Sequence, residues 1–105
     1  MRCYGISGVK TDASGRTIEE ALLHRLFPGL RESHIYLQAG FPAKPVDVAR
    51  LIARGDRVSV VRMCAETGEF EAKDSVRLRP SVAGYLQSYR DDGLETDSLA
   101  SLPRY

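Results

Sequence analysis

Pro45-Val46-Asp47-Val48-Ala49-Arg50-Leu51-Ile52-Ala53-Arg54-Gly55-Asp56-Arg57-Val58-Ser59-Val60-Val61-Arg62-Met63 decides the fold class, because its hydrophobic period changes from helix to strand across one glycine. Pro45 suits the first helical position, where its missing N–H costs nothing. Asp47 falls in the first turn, favourable to the helix dipole. Val48, Leu51 and Ile52 form an i, i+3, i+4 stripe, while Arg50 and Arg54 face away. Gly55 then fits the left-handed position that ends a helix. The spacing predicts a helix over 45–54. Beyond it, Val58 and Val60 alternate with polar neighbours, and 57–63 reads as a strand.

Outward from this unit the pattern is mostly β. After a turn at Glu66-Thr67-Gly68-Glu69, a return strand is expected over 71–79. Val76 and Leu78 point one way there; Ser75, Arg77 and Arg79 point the other. Pro80 ends it. A last strand over 84–89 sets Tyr85, Gln87 and Tyr89 opposite Leu86. Before the helix, 3–10 reads as an opening strand, with Tyr4, Ile6 and Gly8 on one face. Asp12-Ala13-Ser14-Gly15 is a turn. His34 to Gln38 is a short strand, and 40–44 a connection.

The stretch 17–27 supports two readings. Thr17-Ile18-Glu19-Glu20 matches a helical capping box, and Ile18, Leu22 and Leu26 share one helical face. Leu22, His24 and Leu26 also alternate as a strand would. Local chemistry favours the helix, while the alternation suits a strand that would pair with the opening one, and both readings stay open. The expected architecture is α+β: a small, mainly antiparallel sheet of four to six strands, packed by one main helix. All of 1–105 is expected to form one domain, since about 100 residues is a common domain size.

The segment Asp91 to Tyr105 is unusually informative. Leu99, Leu102 and Tyr105 recur every three residues beside Asp97, which could cap a turn. Such a tail is expected to dock on its own domain and close the core. The other reading makes it, or the groove it fills, a contact site.

Composition excludes several classes. Net charge is +1 with 43% apolar residues, which argues against a strong non-specific nucleic-acid binder and needs no metal or disulfide to fold. No run reaches the ~20 apolar residues of a membrane span, and the first residues lack an apolar signal region. A cytoplasmic location, away from membranes, is the expectation. Cys3 and Cys64 form no C-x-x-C pair, and His24 and His34 have no fixed partner. Asp91, Asp92, Glu95 and Asp97 lack the twelve-residue cation-loop pattern. Phosphate-binding and nucleophile-elbow signatures are absent. No cofactor or metal is expected.

Several stretches together resemble a known family. They are Ile6-Ser7-Gly8-Val9-Lys10, the junction Gly55-Asp56-Arg57-Val58, the strand Gly84-Tyr85-Leu86-Gln87-Ser88, and Thr96-Asp97-Ser98-Leu99-Ala100-Ser101-Leu102-Pro103-Arg104-Tyr105. The family comprises small bacterial domains of unknown function and carries the number three thousand eight hundred and ninety-two. Its members open with Ile-Ser/Thr-x-Val and close with Asp-Asn/Ser-Leu-x-x-Leu-Pro-x-Tyr/Phe. The resemblance implies a fold with a second strand where 17–26 lies here. It carries no activity, cofactor or site residue.

The expected function is a non-enzymatic interaction module that binds a protein partner or a second copy of itself, through exposed strand edges. The alternative is a weak accessory nucleic-acid binder using Arg57, Arg62, Arg77 and Arg79 with Tyr85 and Tyr89. Acidic residues on the same hairpin (Glu69, Glu71, Asp74) count against it. Enzyme chemistry would require a cysteine brought against a histidine.

Overall fold

In the computed structural model, residues 2–15, 17–28, 35–63, 66, 70–78 and 86–105 are described. Their elements follow in order as β1 (Cys3–Thr11), β2 (Ile18–Pro28), β3 (Ile35–Leu37), β4 (Phe41–Ala43), α1 (Pro45–Ala53), β5 (Arg57–Met63), β6 (Phe70–Leu78), β7 (Leu86–Tyr89) and β8 (Glu95–Thr96). The sheet order is β3-β2-β1-β5-β6-β7-β8, with β4 also pairing β2. Among the described strands, β1 and β5 run parallel and the other pairs are antiparallel. The fold is α+β, a mostly antiparallel mixed sheet with one short helix. Its five strands of four residues or more fall within the expected number, and β3, β4 and β8 are short additions.

The helix forms as its sequence dictates. Pro45 opens it, and the Asp47 carboxylate accepts the Lys44 N–H at 3.2 Å. It closes at Arg54, which is the cap rather than the last helical residue. Gly55 adopts φ 95°, and its N–H and that of Asp56 satisfy the carbonyls of Ile52 and Leu51. Val48 is completely buried in the core cluster that also holds Val58, Val60 and Val76, and Leu51 and Ile52 pack against that cluster.

β2 is a strand despite its capping box. It is paired on both sides, by β1 along one edge and by β3 and β4 along the other. Ala21 and Leu23 are buried at period two, so sheet pairing outweighs the local helical preference. The segment expected as a plain connection before the helix contains β4, because β2 is long enough to pair a second short strand there.

One expectation about β1 is corrected. Tyr4 and Ile6 face the core as anticipated, but Val9 joins them and Gly8 does not. The cause is a bulge: Ile6 pairs Leu23, Gly8 pairs Leu22, and Ser7 is the extra residue. An inserted residue reverses the in–out order beyond it.

The sheet also curls. β3 lies against β6 although β2, β1 and β5 separate them in pairing order. Gly5 permits this on the face away from the helix. A methyl group there would come within 2.6 Å of Val61 Cγ1 and 3.0 Å of Leu26 Cδ2, which meet over the bare backbone.

The tail docks. After β8, Leu99 and Leu102 enter the core cluster, each 2% exposed. The chain then lies alongside β1, where Arg104 forms a parallel bridge with Val9 and the Val9 N–H donates to the Pro103 carbonyl at 3.0 Å. The third residue of the motif behaves differently. Tyr105 remains 47% exposed and passes over Gly8, where a Cβ would stand 3.3 Å from its ring.

Candidate functional site

β1 and β5 pair only from Cys3/Arg57 to Ile6/Val60. Beyond that point the tail occupies the β1 edge instead. The transition leaves an open groove of about 310 Å³ lined by Ser7, Val61, Arg62, Met63, Phe70, Leu102 and Pro103. Its walls are largely apolar, and Met63 is 59% exposed.

The polar atom of interest there is the hydroxyl of Ser7, the bulged residue. Ser7 Oγ lies 2.6 Å from Nε2 of His24 on β2. The other ring nitrogen, Nδ1, lies 2.8 Å from the Gln38 carbonyl oxygen. A carbonyl can only accept, so in the neutral ring Nδ1 holds the proton and Nε2 is the acceptor. Ser7 Oγ–H therefore donates to His24. Gly40 makes room for the ring: a Cβ at that position would fall 2.6 Å from His24 Cε1. The result is a hydroxyl, a base and an orienting acceptor in line.

On the far side of the tail a second polar cluster holds its turn. Ser88 is fully buried; its hydroxyl donates to the Thr96 carbonyl at 3.0 Å and accepts the Leu99 N–H at 3.1 Å. Thr96 Oγ1 and Ser98 Oγ each donate to Asp74 Oδ2 at 2.7 Å. Those two bonds favour the anion and hold the Asp74 carboxyl below the usual aspartate range. The Arg62 guanidinium reaches the Ser98 carbonyl at 3.4 Å and the Ser101 hydroxyl. Every buried side-chain polar atom among the described residues has a partner.

The anticipated site residues divide among these features. Leu99 and Leu102 seal the core, as above. Asp97 is exposed and serves the turn through its backbone carbonyl, which accepts the Ser101 N–H at 2.9 Å, rather than through its carboxylate. The Tyr105 hydroxyl donates to Glu20 Oε1 at 2.8 Å. Desolvation first, and that carboxylate second, push its phenol up to about 12.

The arginines do not form one patch. Arg57 and Arg77 line a shared depression with Asp56 and Asp91. The Arg77 guanidinium carbon stands 5.9 Å from the Tyr89 ring centre. Arg62 lies at the opposite end of β5, against the tail. Arg79, Tyr85, His34 and Cys64 lie outside the described residues, as does most of the 66–69 turn. Asp56 at the depression is itself ion-paired with Arg54 at 2.6 Å: the Arg2 backbone N–H, then Arg54, hold its carboxyl below the usual range.

Sequence reasoning missed Ser7 as the partner of His24, and missed Asp74 and Ser88 beneath the tail. No local signal announced the first: His24 stands opposite Gly5, and the bulge at Ser7 sets the register that brings the hydroxyl and the ring together. Cys3 is a free, half-buried thiol, and no hydrogen bond joins it to His24. Among the described residues no group of three or more His, Cys, Asp or Glu side chains could hold a metal, and no helix is long and apolar enough to cross a membrane. No family model, curated protein or solved structure matches the chain.

Proposed function

We propose that this domain is an interaction module, and that its groove seats an extended apolar segment of a protein partner. The observation that carries the reading is the early end of the β1–β5 pairing, which opens an apolar-walled groove between two strands and the tail. Apolar clefts with few polar groups are the usual form of binding sites, and about 310 Å³ is at the low end of their range. Arg62 biases the choice of segment. Its guanidinium meets the neutral Ser98 carbonyl and Ser101 hydroxyl, while the carboxylate on its cross-strand neighbour Glu71 is paired with Lys73 at 3.1 Å. A segment carrying a carboxylate beside its apolar side chains complements that charge.

The test is an NMR titration of the labelled domain with a hexapeptide of alternating leucine and glutamate. Shifts concentrated at Ser7, Val61, Met63 and Phe70, and lost in Met63→Glu, are expected. Absence of any localised shift would overturn the reading. Dimerisation through the same face, seen by light scattering, would replace the foreign partner with a second copy. The nucleic-acid alternative receives less support, because Arg57 and Arg77 share their depression with Asp56 and Asp91. Oligonucleotide-induced shifts at Arg77 and Tyr89 at low salt would favour it instead.

A further inference from the structure

We infer that Ser7 is a nucleophile and that the groove accepts acyl compounds, with carboxylic esters of small apolar acids as the substrate class. The inference uses the same groove as the proposed docking function but does not depend on a protein occupying it. Three independent features converge. Ser7 Oγ is 2.6 Å from His24 Nε2, within reach for general-base removal of its proton. The Gln38 carbonyl fixes the tautomer that leaves Nε2 free to accept that proton. Ser7, only partly buried, is also among the residues that line the groove, and the Val61, Met63 and Phe70 walls suit an apolar acyl group. A hydroxyl held by an imidazole that is itself oriented by a third group is the arrangement that activates serine nucleophiles.

The chemistry balances without a further reagent. Ser7 Oγ bonds to the ester carbonyl carbon while its proton passes to His24 Nε2. The imidazolium keeps its Nδ1 proton on the Gln38 carbonyl. The bond from the carbonyl carbon to the alcohol oxygen then breaks, and the departing alkoxide takes the proton from Nε2. Water attacks the acyl-serine with its proton going to the same nitrogen, which releases the acid and restores the hydroxyl. Ester and water become acid and alcohol, with no change of oxidation state.

The experiment treats the intact chain with a fluorophosphonate and, separately, with p-nitrophenyl butyrate. Intact mass and peptide mapping locate any adduct, and nitrophenol release gives the rate. One adduct on Ser7 is expected, absent in Ser7→Ala. General-base assistance is worth roughly 10²–10⁴-fold, so His24→Gln should label at least about 100-fold more slowly. Thermal unfolding checks that both variants fold. If either does not, mapping on the unaltered chain still decides, because Ser7 must label well ahead of the exposed Ser14. Equal labelling of the two serines, or an unchanged rate in folded His24→Gln, overturns the inference. Peptide binding without acylation rejects this inference and keeps the docking function; acylation without peptide binding does the reverse.

Discussion

Replacing Leu102 by alanine tests whether the tail belongs to the core. The side chain is 2% exposed and sits in the same apolar cluster as Val9 and Leu99. Deleting a buried leucine to alanine costs about 2.7–5.0 kcal/mol, more where the cavity cannot collapse. Leu102 lies in a bend of the tail, and the residues after it are held by the Val9–Pro103 backbone bond and the Tyr105–Glu20 hydrogen bond rather than by deep packing, so partial collapse is available. We place the loss at about 3 kcal/mol, a large share of the roughly 5–15 kcal/mol typical of a domain. At about 4–8 °C per kcal/mol, the melting temperature should fall by roughly 12–24 °C. Urea unfolding followed by circular dichroism measures the change directly, provided the slope stays constant. Tyr105→Ala is the internal comparison: with 47% of that residue exposed, its loss should stay under about 1 kcal/mol. A Leu102→Ala loss below about 1 kcal/mol would refute the assignment of the tail to the core.

Two further outcomes follow from packing and charge. Gly5→Ala should destabilise by about 1–2 kcal/mol, because the new methyl meets Val61 Cγ1 at 2.6 Å and a β-branched side chain cannot swing aside. Adding Val61→Ala should return part of that loss in a double-mutant cycle; strict additivity would show that the two positions do not share the space. The Asp74 carboxyl is held below its ordinary value by Thr96 and Ser98, so it stabilises the fold above its unfolded pKa of about 4. That contribution disappears as pH falls through the lower, folded value. Acid titration should find the chain more stable than Asp74→Asn at pH 6, with the gap closing below about pH 4. A gap independent of pH would show that the ionised carboxylate is not what holds the turn.

What the sequence made legible was local. α1 could be read because its opening proline, apolar stripe and terminal glycine all lie within eleven residues. The spacing of Leu99 and Leu102 exposed the docking tail for the same reason. β2 was ambiguous because its capping box and its alternation compete, and only its neighbours on both sides decide between them. The bulge at Ser7 was illegible: nothing in Ile6-Ser7-Gly8 marks the inserted residue, yet it reverses the facing of Gly8 and Val9. The candidate site was harder still. Ser7 and His24 meet through strand register, and the groove exists because a parallel pair that no local signal announces stops early. The shared arginine face expected of β5 and its neighbour was not legible either, because both ends of β5 carry an arginine and strand length keeps Arg57 apart from Arg62.

The account stands on the tail occupying the β1 edge that β5 vacates. Amide hydrogen exchange reads this at two positions, Val9, whose N–H donates to the Pro103 carbonyl, and Leu99, whose N–H donates to Ser88 Oγ. Both amides should exchange as slowly as that of the fully buried Val60. Exchange at Val9 and Leu99 near the rate of an unstructured chain, while Val60 stays protected, would contradict it.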